Sequence, residues 1–238
     1  MSSSRRQCPP DQRRVPVEKP TRAVPVARPE IADLLRALCG DPDLKTREAV
    51  VGNPHCPPDV LREFVGDPHW RIRWSTPDHP QADIGVKRAI AASPDSTLRR
   101  LLAELDDIEP EITYLLMEDD TTEVKEALAA HTALPGVLAA LATDPDAKVR
   151  AGAAQNPRTT PEQRRALARD RAALVRANLL KFVELDDEEL RLLAHDRSIN
   201  VRWWLASWPT TPDHILEILA RDPHPDVANQ AAAEWARR

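Results

Sequence analysis

The chain has 238 residues, 42% hydrophobic, 4% aromatic and 30% charged, with a formal net charge of −5. No apolar run is long enough to span a bilayer, so a membrane-embedded protein is excluded from the expectations. Residues 1 to 30 hold seven basic side chains against three acidic ones, which leaves 26 basic against 35 acidic, a net −9, on the rest. An acidic body argues against general attraction to a nucleic-acid backbone, because phosphate binding takes clustered Lys and Arg.

The first residues, MSSSRRQCPPDQRR, carry arginines with no apolar stretch behind them. They do not read as a secretory signal, and a cytoplasmic protein is the expectation. Residues 1–28 are expected to form a disordered Pro- and Arg-rich tail, since PVEKPTRAVPVARP is too dense in proline for a helix. Structure is expected from Pro29, where Ile31, Leu34, Leu35 and Leu38 mark one helical face and predict a half-repeat cap.

From there the same pattern returns along residues 29–238. An acid-proline step or a substitute opens each unit at Asp41, Asp67, Ser93, Asp119, Asp144, Asp170, Asp196 and Asp222, at intervals of 26 residues with a single interval of 25. A fixed period of this size means a solenoid, in which no unit can bury its apolar face alone. The clearest unit, DPDAKVRAGAAQNPRTTPEQRRALAR, predicts a helix capped by Asp144 with Pro145 in its first turn, a stop at Asn156-Pro157, and a second helix from Thr160-Pro161. Val149 and Ala153 point inward, and Gly152 on the same face would permit close helix contact. The units at Ser93 and Asp170 lack the mid-unit Asn-Pro, so their two helices are expected to merge or to join through a different turn. The 23 prolines therefore punctuate helices, and a fold with seven full units and a half-unit at each end follows.

Asp-Pro, then Val-Arg, then Asn-Pro, then Thr-Pro before a leucine-bearing segment resembles the leucine-rich repeat variant family, over roughly residues 29 to 238. The resemblance implies an all-α, right-handed α-solenoid of about seven 26-residue repeats, each an α-helix paired with a short α- or 3₁₀-helix, akin to HEAT-like helical pairs. It implies an interaction scaffold with no settled activity. Some members carry an N-terminal cysteine cluster for an iron–sulfur centre. Here only Cys8, Cys39 and Cys56 are present, short of four thiolates, so no cofactor is expected.

Two constellations remain. Arg47, Arg73, Arg99, Lys125, Arg150, Arg176 and Arg202 occupy one site in seven of the eight units. They form either a track for anions or an internal ladder in which each guanidinium bonds an Asp or carbonyl of a neighbouring unit; recurrence in every unit favours the ladder. Counting the opener as zero, position seven lies opposite the inward position five, so Trp74 and Trp203 are expected exposed, with Trp70 one turn before Trp74. Trp70, Trp74 and Trp203 are the partner-binding candidates, because exposed Trp commonly anchors protein interfaces. Trp204 and Trp208 fall on inward positions and are expected in the core, and Trp235 over the last open face.

No His pair has zinc spacing, so no metal is expected. His79 and His131 stand where Asn53 and Asn156 stand in other units and read as turn caps. Six glycines form no phosphate-cradling loop, and the run Glu184 to Glu189 reads as a solvated helix start. The function expected is a non-catalytic scaffold for another protein or peptide. The alternative is a nucleic-acid-binding, HEAT-like protein related to DNA glycosylases, for which Trp70, Arg71, Arg73, Trp74 and Asp78 give a loose echo.

Overall fold

The computed structural model describes residues 29–182 and 184–238. The expected tail over 1–28 lies outside the described residues, as does Val183. Sixteen helices and no strand occur among the described residues. The cap is α1 (Pro29–Leu38). Then come α2 (Leu44–Val51) with α3 (Pro58–Phe64), α4 (Trp70–Trp74) with α5 (Ile84–Ala91), and α6 (Ser96–Ala103) with α7 (Pro110–Met117). The next pairs are α8 (Thr122–His131) with α9 (Pro135–Leu141), α10 (Ala147–Gln155) with α11 (Pro161–Leu167), α12 (Ala173–Phe182) with α13 (Asp187–Ala194), and α14 (Ile199–Ser207) with α15 (Asp213–Leu219). The half-unit α16 (Pro225–Ala236) ends the array. Even-numbered helices pack on one another as one layer and odd-numbered helices as another, the arrangement of an α-solenoid. The second helix of each full unit is a true α-helix of seven or eight residues.

The core follows the period. Position five holds Ile72, Leu98, Val124, Val149, Val175, Val201 and Val227, each 0% exposed. Position nine, one helical turn on, holds Leu102, Leu128, Ala153, Leu179, Leu205 and Ala231, all buried. Second helices add Val60, Leu61 and Phe64, then Val86 and Ile90, and so on to Ile215, Leu216 and Leu219. Position seven is less uniform than its wheel angle suggests: Ala151 there is 0% exposed, because α10 is hemmed in by both α8 and α12.

Helix starts correct one expectation. The opening Asp is not the cap. Asp43, Asp95 and Asp146, two residues further on, cap α2, α6 and α10, and Pro145 therefore lies before α10. The opener instead folds the turn ahead of the helix: its carboxylate accepts the N–H two residues on, as Asp144 does from Asp146 at 2.8 Å and Asp196 from Ser198 at 2.7 Å.

The helices of the unit at Ser93 do not merge. An extended Glu109 and the proline after it restart the chain as α7. In the unit at Asp170, Asp186 and Glu189 form a capping box that starts α13. This also corrects the view of the acidic run as wholly solvated, since Glu189 is 1% exposed and pairs with Arg164 at 3.3 Å. The 25-residue interval is located as well. The residue before the second helix falls 16 after the opener in the other full units, but 15 after Asp119, at Leu134, so the missing residue lies between the opener and α9.

Gly152 sits at the tightest crossing. A Cβ there would collide with the Glu126 carbonyl and come within 3.2 Å of Ala129 Cβ. Gly152→Ala is expected to lower stability by about 1–3 kcal/mol through overpacking, despite alanine's better helix propensity. Urea unfolding checks this; a stabilised variant would show that α8 and α10 separate at no cost.

Candidate functional site

The basic residue of each unit reaches into two units at once. Arg150 donates from Nε to Asp170 Oδ2 at 2.7 Å and from Nη2 to Asp170 Oδ1 at 3.0 Å, while its Nη1 donates to the Asp144 carbonyl at 2.8 Å. Arg47, Arg99, Arg176 and Arg202 repeat this with Asp67, Asp119, Asp196 and Asp222, each partner lying 20 residues on. The pairs are shielded: the side chains of Arg176 and Asp196 are 4% and 5% exposed. Each fork meets one carboxylate edge to edge, the geometry in which guanidinium exceeds ammonium.

Two rungs differ. Where Ser93 replaces Asp, Arg73 turns to Asp95 with Nε at 3.0 Å of Oδ2, and keeps its bond to the Asp67 carbonyl at 2.9 Å. Where the interval to the next opener is one residue shorter, the basic residue is Lys125, held to Asp144 by one contact of 3.5 Å. A point charge on a flexible stem tolerates that offset better than a planar fork.

Burial pushes the carboxyls of Asp119, Asp170 and Asp222 upward, but hydrogen bonds from Arg99, Arg150 and Arg202 and from backbone N–H groups outweigh it and hold them below the usual carboxylate range. The same bonds raise the arginines further. The ladder thus consumes its own charge.

A groove of about 380 Å³ opens between α2 and α4, bounded by Glu48, Val51, Gly52, Trp70, Arg71 and Trp74. Trp70 and Trp74 are 47% and 38% exposed, with ring centroids 4.6 Å apart. Trp74 is anchored by its Nε1, which donates to Asp95 Oδ2 at 3.3 Å. The Arg71 guanidinium lies 5.5 Å from the Trp70 ring and 3.6 Å from Glu48.

The third candidate behaves differently. Trp203 is half-buried against the core of the last units, whereas Trp204, expected inside, is 38% exposed beneath Lys181 at 4.6 Å. Trp204 stands at position eight, where the residues buried in the preceding units, Ala127, Gly152 and Asn178, are all far smaller than an indole, so the ring turns outward. Trp203 borders a second groove between α14 and α16, with Ile199 and Asp226. Trp208 is half-buried, and Trp235 is 43% exposed instead of closing the end.

Among the described residues, no group of three His, Cys, Asp or Glu side chains is placed to hold a metal ion, and no helix is long and apolar enough to cross a membrane. Cys56 is fully buried, and burial first, then Asp59, pushes its thiol up to about 12. Cys8 lies outside the described residues.

Stacked helix pairs joined by a recurrent ladder define a helical-repeat protein. The model of the family described as leucine rich repeat variant matches residues 44–69, spanning α2, α3 and the following turn. The ladder that begins with Arg47 in that stretch recurs in the later units. A solved structure described as a leucine-rich repeat variant with a novel repetitive protein structural motif is 22% identical, covering 74% of this chain and 81% of that chain, with a TM-score of 0.43. No curated protein matches the chain.

Arg150→Ala and Arg176→Ala are each expected to destabilise the array by roughly 3 kcal/mol, because a shielded aspartate is left without its partner. Arg88→Ala, which removes an exposed, solvent-screened pair with Glu111, is expected to change stability little. Denaturant melts of the three variants separate the cases. The depressed aspartates add a pH signature: their contribution is present above the ordinary carboxyl value of 3.8 and is lost as pH falls through their lower folded values. Acid titration followed by circular dichroism is expected to show unfolding in that window, and at higher pH in Arg150→Ala.

Proposed function

We propose that this protein is a non-catalytic interaction scaffold, and that the groove between α2 and α4 is where it grips a protein or peptide. The observation that carries this is the exposed pair Trp70 and Trp74, aromatic area held in place by the Asp95 bond beside an arginine. Trp and Arg are the residues that dominate interface energetics, and rings held rigid lose little entropy on binding. At Gly52 the groove lining carries no side chain, so a partner chain can lie close to the backbone there.

The nucleic-acid reading draws less support. Its recurring guanidinium groups are those of the ladder, each facing a carboxylate, and Arg73 in particular is bonded to Asp95 and the Asp67 carbonyl. A phosphate would have to displace an internal ion pair at each rung.

Trp70→Ala and Trp70→Ala/Trp74→Ala are expected to weaken capture of a partner by about 2 kcal/mol or more, as hot-spot truncations do. Because both rings are substantially exposed, the melting temperature is expected to change little. Affinity capture from the native host with wild type and variants in parallel tests this. A partner retained equally by all of them would place the contact elsewhere.

A further inference from the structure

The same two units that form the Trp groove are also tied together by a histidine. His79 is buried, at 9% exposure, in the turn after α4. Its Nδ1 accepts the Gln81 backbone N–H at 3.1 Å, and its Nε2 lies 3.0 Å from the Asn53 carbonyl of the preceding unit. A backbone N–H can only donate and a carbonyl can only accept, so Nδ1 is bare and Nε2 carries the proton. In the unit at Asp144 an amide does the same two jobs. Asn156 Oδ1 accepts the Arg158 N–H at 2.9 Å, and Asn156 Nδ2 donates to the Ala129 carbonyl at 2.9 Å and the Thr132 carbonyl at 3.0 Å. Asparagine at this position cannot titrate; histidine can.

We propose that His79 makes the contact between the units at Asp41 and Asp67 acid-labile, so that the seam carrying Trp70 and Trp74 loosens when the ring takes up a proton. A second ring proton, on Nδ1, would point at the Gln81 N–H, and two donors would face each other in a buried turn. The Gln81 amide would lose its acceptor and a positive charge would be buried without a counter-ion. Burial opposes the charged ring and lowers its titration from the ordinary 6.5, while the Asn53 bond partly offsets this. The charged or titratable groups of the surrounding elements, Arg62 and Glu63 of α3, Arg73 of α4, Lys87 of α5, and His55 and Asp78 of the turns, make no hydrogen bond to the ring, whose partners are the Gln81 N–H and the Asn53 carbonyl. The sign is that of a depressed base: the neutral ring's contribution is complete above the ordinary value and is lost as pH falls through the folded one. His131, at the corresponding position of the unit at Asp119, instead meets the Asp106 carboxylate at 3.2 Å. The effect on binding rests on the groove reading above, whereas the lability of the seam can be measured with no partner.

The test uses the full chain and His79→Asn. Unfolding free energy is measured against pH across the imidazole range, and amide exchange is followed at Gln81 and in α4. The wild type is expected to lose stability on acidification with a slope approaching one extra proton bound by the unfolded chain. His79→Asn is expected to lose that increment and keep Gln81 protected. Equal pH slopes for the two proteins would overturn the proposal. Should the variant not fold, the wild type alone decides: nitrogen shifts of His79 must report the Nε2–H tautomer, and Gln81 protection must fall with the ring's own titration. A Gln81 amide indifferent to that titration would overturn it equally.

Discussion

Except at Arg73, each guanidinium of the ladder holds the carbonyl of its own unit's first residue and the carboxylate of the next unit's first residue. That carboxylate meanwhile holds the N–H two residues on. One residue type thus fixes the turn that starts a helix and the distance to the next helix pair. A buried ion pair contributes little net stability against an apolar equivalent, but its loss is costly, so its strength is in specifying register. In a repeat protein register is what must be specified, because every unit offers a similar apolar face to its neighbours.

The irregular rungs show what that constraint tolerates. With Ser93 as opener, the carboxylate is supplied by Asp95, which caps α6 and also receives Trp74 Nε1. With the interval to the next opener one residue shorter, the fork is replaced by Lys125. Close packing is concentrated at α8, α10 and α12, where small residues such as Gly152, Ala151 and Ala154 let backbones approach. The grooves bordered by Trp70 and Trp74, or by Trp203, lie in the first and last units, outside that small-residue stretch. The candidate surface is in this sense a product of broken repetition.

Much was legible in the residues alone. Proline placement and the 26-residue period give the number of helix pairs, and the alternation at positions five and nine gives the buried row from Ile72 to Val227. These features are local or follow from identical units meeting identical neighbours, so one unit read correctly serves for all. The basic ladder was visible for the same reason, as was the small Gly152.

What the sequence could not determine depended on differences between neighbours. Which carboxyl oxygen each Arg takes, whether the opener or the residue two beyond it caps the helix, and why Arg73 passes over Ser93 for Asp95 are settled by three-dimensional reach. The exchange of roles between Trp203 and Trp204 is of that kind: a helical wheel assigns both by angle, but the space across from each is set by the facing helix. Periodicity determined the array and its ladder because both repeat with the chain, while the exposed aromatics, the groove and the bonded histidine were decided by tertiary packing, because each depends on the pair of units between which it stands.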